Sequence, residues 1–143
     1  MRTVVWTLLA SLAACGASVE DRVAAVAASD AAVRIGAVRA LAETGPAAAA
    51  AVPALRLALA DPVLTDLAVW ALGEIGQADA ATRAALRALS VEAQPLRHAV
   101  LCVALGRLGG GEPEVVADLE RWSSSPHAIV RQAARGALRR LRR

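Results

Sequence analysis

Residues 61–76 read DPVLTDLAVWALGEIG. Leu64, Ala68, Ala71, Leu72 and Ile75 fall at helical spacing and share one face. Asp61 stands where an N-cap accepts the unpaired amides of a first turn, with Pro62 just inside. Gly76 stands where a helix ends. The stretch therefore predicts a capped helix that buries a face of small and aliphatic residues.

Three other stretches share its pattern: DAAVRIGAVRALAETG at Asp30 to Gly45, QPLRHAVLCVALGRLG at Gln94 to Gly109, and PHAIVRQAARGALRRLRR from Pro126 onward. The register is set by Ala40-Leu41, Ala71-Leu72, Ala104-Leu105 and Ala137-Leu138, which recur at a nearly constant interval. In the first stretch the expected face is Val33, Ala37, Ala40, Leu41 and Thr44. Ten residues after each closing glycine comes another leucine, Leu55, Leu86 and Leu119, so each period has room for a second helix. Asp30 and Ser125 are the further expected N-caps, and Gly45-Pro46, Gly109-Gly110-Gly111 and Ser123-Ser124-Ser125-Pro126 the expected breaks. The chain divides into four helical pairs, at about 17–45, 46–76, 77–109 and 110–143.

Composition agrees with this division. The 143 residues include 37 Ala but no Phe or Tyr, and aromatics are 2% of the chain. A β-sandwich or barrel draws its inner faces from β-branched and aromatic residues, so the expected class is all-α, with helices meeting through small side chains. The chain is 57% hydrophobic, yet beyond residue 15 charged residues interrupt each apolar run before it reaches the roughly 20 residues that span a bilayer. Two cysteines make no disulfide scaffold.

Asp30, Val33 and Arg34, the run Ala51-Val52-Pro53-Ala54-Leu55, and the closing run Ala71-Leu72-Gly73-Glu74-Ile75-Gly76 together resemble the HEAT repeat, close to the short variety seen in phycobilisome lyase-like proteins. The resemblance covers residues 18–143 and implies a right-handed α-solenoid of about four helical hairpins, in which each unit touches its neighbours. In that family the Arg34 position commonly bonds between repeats. Thr65 and His98 replace it here, and Arg131 restores it.

Residues 1–15, MRTVVWTLLASLAAC, resemble a bacterial lipoprotein signal peptide: Arg2, an apolar run from Val4 to Leu12, and small residues before Cys15. That resemblance implies an acylated Cys15 and, with Gly16 following, an outer-membrane anchor facing the periplasm. The alternative keeps these residues as a repeat helix, Leu12 taking the place of Leu41, and the protein in the cytoplasm.

Candidate chemistry is sparse. His98 and Cys102 stand one helical turn apart, where they could clasp a metal or pair as base and nucleophile, but no third ligand or orienting group lies near them in sequence. No catalytic residue, metal or cofactor is expected. Glu112, Glu114, Asp118 and Glu120 read as a solvated acidic surface.

Charge is uneven. Residues 61–120 hold four Arg and nine acids, whereas residues 121–143 hold seven Arg and no acid. Arg131, Arg135, Arg139 and Arg142 form an approximate stripe, suited to the polar face of a capping helix or to an anionic partner such as a phospholipid headgroup or, less readily, nucleic-acid phosphate. The expected function is non-catalytic protein binding or scaffolding, with Arg34, Thr65, Asp66, Trp70, Arg97, His98 and Arg131 as contact residues because they lie beside the repeated core positions. Trp70 reads either as a packing residue or as an exposed anchor. The rival is an enzyme or enzyme subunit akin to the lyase-associated repeat proteins.

Overall fold

The structure is a computed structural model and describes residues 16–89 and 94–143. The leader reading, with Trp6 and Cys15, lies outside the described residues. Within them the chain is helical and forms no strand: α1 (Val19–Ala25), α2 (Ala31–Thr44), a 3₁₀ stretch (Gly45–Ala51), α3 (Val52–Ala58), α4 (Thr65–Ile75), α5 (Ala80–Arg87), α6 (Pro95–Leu108), α7 (Pro113–Trp122) and α8 (Ala128–Leu141).

The helices with the repeated Ala-Leu pair form a row. α2 packs on α4, α4 on α6 and α6 on α8, while α1 packs on α2, α3 on α4 and α7 on α8. Leu41, Leu72 and Leu105 are completely buried, as are Leu55, Leu86 and Leu119 on the intervening segments. Each leucine therefore fills a small local core between consecutive helices, and these join into one apolar cluster.

Small residues set the spacing between helices. A Cβ added to Gly73 would lie 3.0 Å from the Cα of Ala104, and one added to Gly106 would lie 2.7 Å from the Cα of Ala137. At these two points a glycine on one helix meets an alanine on the next, so backbones approach as closely as side chains allow. Gly45, Gly76 and Gly109 close α2, α4 and α6 with φ of 64°, 69° and 66°. Other residues reach that left-handed region only with strain, which explains why glycine recurs there.

Helix starts match the sequence reading unevenly. Asp30 caps α2, its carboxylate accepting from the amides of Ala32 and Val33 at 2.7 and 3.2 Å. Asp61 instead accepts from Val63 in a turn, and α4 begins only at Thr65. Ser125 accepts from the His127 amide at 3.3 Å and does not cap α8. Two caps escaped the sequence reading. Ser18 and Asp21 close a capping box on α1. Asp79 caps α5 through the Thr82 amide at 2.7 Å, and its hydrogen bonds with Thr82 hold its carboxyl below the ordinary 3.8.

Leu64, Ala68, Ala71, Leu72 and Ile75 are all buried. On α2 the expected face is shifted: Val33 is 49% exposed, while Val38 is completely buried. No helix among the described residues is long and apolar enough to cross a membrane.

Candidate functional site

Four of the seven expected contact residues occupy one register, Arg34, Thr65, His98 and Arg131, and the structure turns them inward. The Arg34 guanidinium donates to the carbonyls of Ala28 and Ser29, both at 3.1 Å. Arg131 repeats the gesture on Ser125 and Pro126, both at 2.8 Å. Thr65 achieves it with a shorter side chain, its one hydroxyl hydrogen lying within reach of the Asp61 carbonyl at 2.8 Å and the Leu59 carbonyl at 3.2 Å. Each ties the first turn of its helix to the loop before it by satisfying that loop's carbonyls.

Thr65 and His98 are buried, contrary to their expected place on a binding surface. His98 meets Trp122 edge-on, with ring centroids 4.6 Å apart and planes at 88°. That packing closes the gap between α6 and the end of α7. Arg34 also pairs at 3.3 Å with Asp61, in the turn before α4. The shorter Thr65 reaches only carbonyls of its own loop.

Cross-helix ion pairs run elsewhere, and most join residues about one period apart. Asp66 pairs with Arg97, and Glu74 with Arg107. Arg83 pairs with Glu112 at 2.5 Å and Arg87 with Asp118 at 2.6 Å. The expected solvated acidic surface is thus largely engaged, since Glu112, Asp118 and Glu120 all have Arg partners and only Glu114 of the four has none among the described residues. Such partly exposed pairs contribute about 0–1 kcal/mol each, so their main effect is to fix which helix sits beside which.

The Cys102 thiol is completely buried, and burial pushes it up to about 12. It is protonated at neutral pH, the state least suited to nucleophilic attack or metal ligation. Among the described residues no group of three or more His, Cys, Asp and Glu side chains is placed to hold a metal ion.

What the sequence reading missed is an apolar groove of about 510 Å³ across α4, α6 and α8. Its walls are Trp70, Leu96, Val100, Val103, Ile129 and Ala133, with Glu74, Arg107 and Gln132 at the edges. Leu96 is 71% exposed, Val103 43% and Ile129 45%. Trp70 is half-buried in the groove wall, its Nε1 donating to Glu74 Oε1 at 3.0 Å. Its ring packs against the core and stays partly exposed. A signal was available, because Val63, Leu96 and Ile129 recur at the interval of the repeat and are apolar without belonging to the Ala-Leu face.

Of the C-terminal stripe, Arg131 is spent on its loop carbonyls and Arg142 lies 3.7 Å from Glu120. Arg135 and Arg139 are exposed and have no acidic partner among the described residues. The chain matches no protein-family profile and no curated protein sequence.

Proposed function

We propose that this protein is a non-catalytic binding module, built as a short HEAT-like solenoid of four helical hairpins, that captures another protein in the groove across α4, α6 and α8. The observation that carries the reading is the groove itself. Soluble chains seldom leave a contiguous set of Leu, Val and Ile side chains facing water along a concavity unless something covers it. The packing of successive helices supports the solenoid, because a row of helices leaves one side of each inner helix uncovered along its length. The protonated, buried Cys102 weakens the enzyme alternative that rested on it.

The binding test is direct. A photo-cross-linking amino acid at Val103 should give a discrete protein adduct in the cells the protein comes from, and the same group at the exposed Glu114 should give none. Absence of an adduct at Val103 would overturn the reading.

The proposal includes a lipid tether at Cys15 on the outer membrane, facing the periplasm. Its support is the leader-like order of residues 1–15. Intact mass of the chain made in a bacterial host should show loss of residues 1–14 and a gain of acyl mass, both abolished by Cys15→Ser. A chain that retains Met1 and gains no lipid would remove the tether and leave the binding module.

A further inference from the structure

The groove is not uniform along its length, and this is what identifies its occupant. On α6 its wall runs Leu96, Val100, Val103 and then Arg107. On α8 Ile129 and Ala133 line the groove, and at helical spacing beyond them on the same side come Gly136 and Arg140, with Arg143 just past the helix, all three lining a separate cavity. Both helices therefore pass from apolar to cationic in the same direction. Arg107 is already neutralised by Glu74. Arg139, Arg140 and Arg143 are exposed, gather around Gly136, and have no carboxylate partner among the described residues.

Resting on the reading above, we propose that the groove's partner is an amphipathic, acidic helix of another protein. Its apolar stripe lies on Trp70, Val100, Val103 and Ile129, and its carboxylates meet Arg140 and Arg143. The groove walls are helices, which offer no free row of backbone amides and carbonyls for an extended strand to pair with. A helix satisfies its own backbone and needs only an apolar seat, which is what the groove provides. The uncompensated guanidiniums of Arg140 and Arg143 at one end select carboxylates over amines there, and fix the direction in which the helix lies.

The test is to pan a random 16-residue peptide library, displayed on phage, against the full chain. Enriched sequences should carry apolar residues at helical spacing and at least two Asp or Glu near one end. The dissociation constant of the best synthetic peptide should rise at least tenfold on Val103→Asp, and also on the double change Arg140→Glu with Arg143→Glu. Val103 and both arginines are solvent-facing, so the variants should keep the parent's circular dichroism and melting curve. Neutral or basic peptides that lose binding on Val103→Asp would overturn the acidic partner and leave the groove as a binding face. Peptides indifferent to Val103→Asp, or no enrichment at all, would overturn the proposal, while the Val103 cross-link in cells still reports separately on the broader reading. A dimer of the chain that Val103→Asp dissociates would assign the groove to a second copy and overturn it. Binding to phosphatidylglycerol vesicles in place of any peptide would do the same in favour of a membrane surface.

Discussion

Leu72→Ala should lower the unfolding free energy by about 2–5 kcal/mol, measured by urea denaturation at neutral pH. Leu72 is completely buried on α4, which packs against α2 on one side and α6 on the other. Removing its side chain forfeits burial and leaves a void that rigid neighbours fill poorly, since Val69, Ala71 and Leu105 are themselves completely buried. In a row of helices the damage also has a position. A helix at the end can fray by itself, but α4 joins the two halves, so its loss separates α1 and α2 from α6 to α8. The same truncation at Leu138, on the last described helix and 9% exposed, should cost less. Equal losses at the two sites would contradict this division of the core.

The second large effect runs against helix propensity. Gly106→Ala, within α6, gains about 1 kcal/mol of propensity on a bare helix. Here the new Cβ would sit 2.7 Å from the Cα of Ala137, a backbone atom that cannot swing aside. The two helices must separate, and overpacking of this kind costs about 1–3 kcal/mol, so the variant should be net less stable than the parent. Gly36→Ala on α2 is the matched control. It is exposed, with nothing within 4 Å of the added carbon, and should be stabilised by about 0.5–1 kcal/mol. Thermal melting of the pair should move in opposite directions. A stabilised Gly106→Ala would show that the seam is looser than its geometry.

The helices were largely legible because their cause is local: the periodic Ala-Leu pairs, the closing glycines and the expected breaks lie along the chain in the order the helices require. Asp79 and Ser18 were passed over because their helices are short and lack the repeated core signature, although Asp79 and Thr82 have the spacing of a cap. The site was less legible for a different reason. Proximity in sequence to the core does not say on which side of it a residue falls. Thr65 and His98 stand in the first turn of their helices, and at that angle they face the preceding loop and Trp122. Val100 and Val103 look like interior residues by composition, and only the placement of α4 and α8 beside α6 reveals that they line a groove. The ion pairs between Arg83 and Glu112 and between Arg87 and Asp118 were within reach of the sequence, since each spans close to one period.

The glycine and alanine contacts between helices bear on a different property, the molecule's behaviour among its own copies. Gly73 and Gly106 stand one repeat apart, each presenting a bare backbone to the helix that follows. An equal step onward reaches Arg139, exposed on α8. Where the next helix would need a hydrogen atom, it meets a guanidinium that must shed its water to be covered. The small-residue seam at Gly73 and Gly106 is thus not repeated on α8, and a second copy meeting this face through the same contact would have to desolvate the Arg139 guanidinium.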